Sequence, residues 1–556
     1  MKDRDRTFDL AKVREYDLIV IGGGIVGAGI AQDAASRGLS VLLIEKDDFA
    51  SHTSSKTTKL IHGGLRYLEQ GRLKLTYQLS QERALLEQLA PHIVKDISFV
   101  LPLAEKDKLF ALRARLGLTL YDLLSSGFSH GMQQHETLGA KEVFEAAPDL
   151  SQEHIVGGLR FHDAITDDAR LVLSVVKSAM SLGAHVLNYV EAIELKFQDN
   201  LVREIECRDR LDGSTFTLRC KVCVNAAGIF SDQIINLVKK KWRPRVVPAK
   251  GIHIVLPLSA FPTNTGLFLP TSDKRYVFVL PWQRALIIGP TDSIYSGDLN
   301  HPLANNDEID YLLQVLNKYN GGRLLNRSDI SATWAGIRPL IAPMSKSNEN
   351  GEALSTTSKL SREHEIFIGP KGLVNVIGGK LTNYRLMAEQ TVDRILDRFP
   401  QLTRVEGKRT RTKRIMLGGW LDKEDFLAST ALIASRGRKL SLDPATIDHL
   451  ISSYGKEALA ILDLIEESSE LKERICPEYP PIMAEVNFSV NYEMAVSLED
   501  VLARRTRLLM INEKQCLEAA PKVVRYMQAL LGWDNVRTEA ELQAVESSLR
   551  TLSPAE

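Results

Sequence analysis

Gly22, Gly23, Gly24, Gly27 and Gly29, in the run Asp17-Leu-Ile-Val-Ile-Gly-Gly-Gly-Ile-Val-Gly-Ala-Gly-Ile30, follow a short apolar stretch and open a segment of helical composition. Tyr16 to Ile21 is predicted as a buried parallel strand and Ile25 to Ser36 as a helix, with Gly22-x-Gly24-x-x-Gly27 at their junction. Gly22 permits the tight turn, Gly24 lets backbone N–H groups approach a diphosphate, and Gly27 lets helix and strand pack closely. The phosphates would rest on the positive end of the helix dipole. A second strand, Ser40 to Ile44, ends at Glu45, 23 positions after Gly22. A carboxylate there accepts from ribose hydroxyls and selects FAD or NAD over NADP.

The chain has 556 residues, enough for two or three domains. Lys plus Arg and Asp plus Glu number 70 each, so no global field draws the protein to nucleic acid. Cys207, Cys220, Cys223, Cys476 and Cys516 are too scattered for a disulfide framework and fit a reducing compartment. Cys220-x-x-Cys223 leads into the apolar run before Asn225 and is predicted to be structural. The N-terminus lacks the apolar segment of a signal peptide, and no run of about twenty apolar residues predicts a spanning helix.

The fold class is α/β (α+β overall): a Rossmann-like nucleotide domain over 14–405, discontinuous, with inserted segments at roughly 80–160 and 230–365. Val222 to Gly228 and Leu373 to Gly379 are predicted as further strands of that domain, and Leu381 to Phe399 as a helix. Gly251 to Leu256, Arg275 to Leu280 and Ala285 to Gly289 predict an inserted, largely antiparallel substrate sheet. Residues 415–556 carry helical periodicity and are expected as a separate helical domain.

Thr53-Ser-Ser-Lys-Thr-Thr-Lys-Leu-Ile-His-Gly-Gly-Leu-Arg-Tyr-Leu-Glu69 closely resembles the flavin-dependent glycerol-3-phosphate dehydrogenases. So do Asp167-Asp-Ala-Arg-Leu171, Val224-Asn-Ala-Ala-Gly228, Lys250-Gly-Ile-His253, Gly336-Ile-Arg-Pro-Leu340, Gly378-Gly-Lys-Leu-Thr382 and Leu498 to Arg507. The resemblance implies a D-amino-acid-oxidase-like fold, FAD, oxidation of sn-glycerol 3-phosphate and delivery of electrons to a membrane quinone. It further implies FAD contacts from Gly22, Gly24, Gly27, Glu45, Thr53, Ser54, Ser55 and Lys59, from Ala227 and Gly228, and from Gly379, Lys380, Leu381 and Thr382. Lys56 stands where some relatives have a small residue, and Pro290 where some have threonine.

A phosphate ester calls for planar, bidentate donors. Arg338 lies in the apolar run Trp334 to Ile341; its chemistry suits substrate phosphate and an internal ion pair equally, and the resemblance favours substrate. Arg362 and Arg66 are further substrate candidates beside structural alternatives, and Tyr67 follows Gly63-Gly64 toward the flavin. His253 is the candidate base for the C2 hydroxyl, although a histidine on an apolar strand is commonly a core residue. Lys380, expected at a helix start, would stabilise charge as the flavin is reduced; Thr291 suits either a substrate hydrogen bond or a turn.

Lys106 to Leu124 combines leucines with basic residues and fits either an anionic lipid interface or core packing. The resemblance places the protein in the cytoplasm, peripheral on the inner face of the cytoplasmic membrane, with a homodimer as one allowed assembly. Oxygen is the rival acceptor, with hydrogen peroxide as product. Amino-acid oxidation on the same fold is a further enzyme reading. A nucleic-acid surface built on Lys239 to Arg245, Lys408 to Arg414 and Arg504 to Arg507 is disfavoured by zero net charge.

Overall fold

A computed structural model describes residues 2–69, 71–104, 108–125, 134–153, 155–273, 275–342, 360, 363–402 and 409–549. Within them the glycine run folds as the strand Glu15–Ile21 and the helix Ile25–Ser36, with Gly24 as the N-cap. Both flanking glycines are sterically required. A Cβ on Gly27 would lie 1.8 Å from the Gly22 carbonyl oxygen, and one on Gly22, at φ +116°, would lie 2.5 Å from that of Ala226.

Among the described residues this strand sits inside a sheet ordered His364–Ile368, Val374–Gly378, Thr215–Asn225, Glu15–Ile21, Val41–Ile44, His185–Leu187. The last five are parallel, and His364–Ile368 closes the edge antiparallel. Their continuous apolar runs match burial on both faces, as a parallel sheet demands. Cys220 and Cys223 are buried in its central strand. That strand ends at Asn225, earlier than the run to Gly228 suggests. The Asn225 amide bonds Asn375 and the Ser231 carbonyl, and its oxygen accepts from Ala227 N, turning the chain out of the sheet.

The second sheet is ordered Ser293–Ile294, Val246–Pro257, Ala285–Gly289, Tyr276–Trp282, Gly266–Pro270, Lys95–Ala104, Ile155–Ile165, Leu60–Ile61. Ala332–Ile341 pairs along Val246–Pro257, opposing Trp334 to His253 and Arg338 to Ala249. Only Gly266–Pro270 and Lys95–Ala104 pair in parallel among the described strands of this sheet.

Six helices between Lys423 and Ser548 form the C-terminal region among the described residues, alongside shorter turns. Asp422, Asp443, Asn512 and Asp534 cap four of them, each accepting the backbone N–H three residues on. This helical region packs directly on the second sheet. Ile461, Leu502 and Val523 belong to one apolar cluster with Phe161, Trp282 and Trp334 of the second sheet.

Candidate active site

Where the two sheets meet, a cavity of about 630 Å³ opens along the glycine turn. Gly22, Gly24, Glu45, Thr53, Ser54, Ala227 and Gly228 line one part; Tyr67, His253, Arg338, Gly379, Lys380, Leu381 and Thr382 line another. The elements that bring them together are far apart in the chain. Thr53 Oγ1 donates to the Ile337 carbonyl at 2.7 Å, tying the nucleotide-side loop to the strand that bears Arg338. His62 N donates to Thr382 Oγ1 at 3.2 Å, closing the opposite wall.

At the nucleotide end, the N-terminus of Ile25–Ser36 carries no capping side chain of its own; Ser54 Oγ accepts from Ile25 N at 3.1 Å. Glu45 is buried and accepts from Gly23 N at 2.6 Å and Asp47 N at 2.9 Å. Burial, reinforced by the charge of Asp47, pushes its carboxyl up to about 7. These groups fit FAD: a helix N-terminus backed by glycines for the diphosphate and a carboxylate for an unphosphorylated ribose.

At the far end, Arg338 reaches over Gly251, where a Cβ would come within 2.2 Å of Nη2. Its Nη1 donates to Asp292 Oδ1 at 3.2 Å and to the Lys250 carbonyl at 3.4 Å, and Nη2 donates to the Thr291 carbonyl at 3.1 Å. The side chain is nevertheless 27% exposed. The guanidinium therefore makes the internal ion pair to Asp292 and still lines the cavity. His253 stacks on Trp334, ring centroids 5.1 Å apart, and its Nε2 lies 3.0 Å from Thr58 Oγ1. Its Nδ1 is buried with no hydrogen-bond partner among the described residues. Burial, then the charges of Arg338 and Lys59, hold its pKa well below the ordinary value, so the ring is neutral. Lys380 Nζ lies 3.5 Å from the Tyr67 ring centroid.

Several expected contacts fall elsewhere. Lys380 is not at a helix start: the helix runs Tyr384–Arg398, and Gly378 and Gly379, both at positive φ, hold Lys380 in the preceding loop. Thr291, Ser55, Lys59 and Gly27 do not line the cavity. Thr291 Oγ1 accepts from Ile252 N at 3.0 Å while its carbonyl orients Arg338. Lys59 Nζ is held by Asp168 and the Ser55 carbonyl. Gly27 acts from behind, through its contact with Gly22. The side chain of Arg66 and all of Arg362 lie outside the described residues. Thr58 and Asp292 were not foreseen; each lies in a loop, 195 and 46 positions from its partner, and meets it only through the tertiary fold.

Arg504, Arg505 and Arg507, offered above to a nucleic-acid surface, are buried instead. Arg504 and Arg505 donate to Asp48, and Arg507 to Asp168. That part of the rival surface does not exist, because the three guanidiniums are already neutralised inside the protein.

The fold and cavity define a flavoprotein oxidoreductase. A family described as FAD dependent oxidoreductase matches residues 17–394, and one described as C-terminal domain of alpha-glycerophosphate oxidase matches 410–538. The chain is 35% identical over 542 residues to a glycerol-3-phosphate dehydrogenase of Mycobacterium leprae (strain TN), spanning 95% of this chain and 89% of that one. It is 33% identical over 553 residues to the mitochondrial glycerol-3-phosphate dehydrogenase of Rattus norvegicus, spanning 96% and 73%. The X-ray structure of glycerol-3-phosphate dehydrogenase from Bacillus halodurans complexed with FAD matches with a TM-score of 0.81 at 29% identity, over 100% of this chain and 99% of that one. The chain belongs to the FAD-dependent glycerol-3-phosphate dehydrogenase family.

Glu45 generates a pH prediction. Ribose hydroxyls donate to the carboxylate form, so FAD should bind the apoprotein more tightly as pH rises from below to above about 7 and lose affinity as pH falls through it. Glu45→Gln should abolish that dependence and weaken binding at pH 8 by about 2 kcal/mol, roughly 30-fold. Titration of flavin fluorescence checks both; an equally steep dependence in E45Q would assign it to another group.

Proposed function

We propose that the protein oxidises sn-glycerol 3-phosphate to dihydroxyacetone phosphate and passes the electrons to a membrane quinone. The observation that carries the substrate reading is Arg338, a guanidinium open to the cavity and aimed by Asp292, Thr291 and Lys250. Its planar fork suits a phosphomonoester dianion, and Lys380 adds a second cation to the same cavity. FAD, when bound, supplies the two-electron acceptor for the hydrogen on C2. His253 takes the hydroxyl proton: its ring is buried and rigidly stacked, and the depressed pKa keeps it in the proton-free form that can accept one. Arg338 and Lys380 hold the phosphate and polarise the forming carbonyl, and the apolar floor around His253 excludes water.

Two features support the quinone over oxygen. Phe161, Phe268, Tyr276 and Phe278 line the cavity, and a polar diol phosphate has little apolar surface to set against them, whereas a quinone ring does. The helix Lys108–Ser125 divides its residues between two partners. Leu118, Tyr121 and Ser125 face the core, while Leu109, Leu112, Leu116, Leu120 and Leu123 form an exposed stripe, four of them more than half exposed. Lys108, Arg113 and Arg115 accompany that stripe, which suits an anionic bilayer surface. No helix among the described residues is long and apolar enough to cross a membrane. Contact is therefore proposed as peripheral, on the inner face of the cytoplasmic membrane.

Purified protein should be yellow and bleach anaerobically with glycerol 3-phosphate. Colour should return with a short-chain quinone; peroxide as the main product in air would favour the oxidase reading, and bleaching by an amino acid alone would overturn the substrate. Because the His253 pKa is depressed, its base form persists as pH falls through 6.5. The acid limb of kcat/KM, corrected for the substrate's own phosphate ionisation, should therefore lie below 6.5; a limb above that value would move the base elsewhere. Replacing Leu112 and Leu116 by Gln should cut cosedimentation with phosphatidylglycerol vesicles while leaving bleaching in solution intact. Unchanged sedimentation would assign membrane contact to another surface.

A further inference from the structure

The segment Thr53 to Lys59 presents Thr53, Ser54, Lys56, Thr57 and Thr58 to the cavity. From behind it is gripped by three charged side chains, none more than 1% exposed: Lys59, Asp168 and Arg507. The Ser55 carbonyl accepts from Lys59 Nζ at 2.7 Å and from Arg507 Nη2 at 2.9 Å. Asp168 Oδ2 accepts from Thr57 N at 2.9 Å and Thr57 Oγ1 at 2.7 Å, and Oδ1 accepts from Arg507 Nη2 at 2.9 Å. One guanidinium nitrogen thus bridges the loop backbone and the carboxylate that holds the loop's amide.

Arg507 belongs to the helical region, 452 positions from Ser55. Its backbone sits at φ +64°, directly after the π-helical turn Asp500–Arg505. Such departures from regular helix carry a local cost and are kept where they aim a group. Nη1 donates to the Ala503 carbonyl at 2.8 Å, and Nε lies 3.4 Å from Asp167 Oδ2 as an ion pair without a hydrogen bond, so contacts on three sides orient the guanidinium.

We propose that Arg507 is a positioning residue for the cofactor, and that the helical region completes the FAD site by holding Thr53 to Lys59 from behind. The proposal rests on the reading that this segment meets FAD, and hydrogen exchange of the full-length protein with and without FAD tests that reading first. Slower exchange of the segment's amides with FAD is expected, and no slowing would overturn the reading itself. In Arg507→Lys, which keeps the charge but loses the planar fork, FAD affinity should fall about tenfold, the scale of one charge-assisted hydrogen bond. Exchange at Thr57 should quicken while the helices from Lys423 to Ser548 exchange as in the parent. An FAD affinity within about twofold of the parent, well short of one such bond, would overturn the proposal. So would weakened affinity accompanied by faster exchange throughout the helical region, which marks a merely structural residue. If R507K does not fold, Thr57→Val removes the hydroxyl bond to Asp168 from the loop side. The same local quickening and weaker FAD binding are expected there, and parental values in T57V overturn the proposal.

Discussion

Seven charged side chains buried in one seam set the terms for the rest of this structure: Asp48 with Arg504 and Arg505, Asp168 with Lys59 and Arg507, and Glu493 joined to Arg505 at 3.3 Å. Removing an ion from water costs several kcal/mol, so such groups are tolerated only when each is matched and hydrogen-bonded. Burial by itself would raise the carboxyl of Asp168, yet Lys59 and Arg507 beside it hold it below the usual range, so it stays ionised. Arg170 extends the seam with two 2.8 Å bonds to Glu493. Charges from the first half of the chain thus meet opposite charges from its end in both senses, Asp48 and Asp168 with Arg504, Arg505 and Arg507, and Arg170 with Glu493. The helical region is bound into the fold by this matching as well as by the apolar cluster it shares with the second sheet.

That seam lies behind the nucleotide end of the cavity, and a different logic governs the end proposed to take substrate. Arg338, His253 and Trp334 come from two neighbouring antiparallel strands whose register places Arg338 opposite Ala249 and Trp334 opposite His253. The bare backbone of Gly251 gives the guanidinium room to lie flat between them. A strand pair is stiff, so the cationic fork and the neutral imidazole keep their separation without help from substrate. Preorganisation of this kind lets binding energy serve the reaction in place of ordering the site.

Much of the nucleotide half was legible in the chain because its signals are local. A glycine turn, the helix it opens and the acid after the next strand all depend on backbone geometry within thirty residues. The charged loop contacts were not legible. Lys59 sits in a segment rich in cofactor-contacting types, and nothing local says whether its ammonium faces the cavity or the seam; Asp168, 109 positions away, decides it. Lys380 was displaced from its expected helix start because Asn383 Oδ1 accepts from its N–H and holds the loop open for three more residues. In the helix Lys108–Ser125, a leucine pattern that fitted lipid or core alike turned out to serve a core face and an exposed face at once.

The sequence by itself determined the nucleotide turn, the preference for an unphosphorylated ribose, the alternation that makes one sheet parallel, and the family to which the chain belongs. Those properties follow from steric and hydrogen-bonding demands that a few adjacent residues meet without outside help. Only the tertiary structure decided which cations face the cavity and which are spent on buried acids, which histidine nitrogen is engaged, and that the helical end grips a loop near the beginning. Such choices depend on desolvation and on partners hundreds of positions away, and an ion pair is defined only when both of its members are in place.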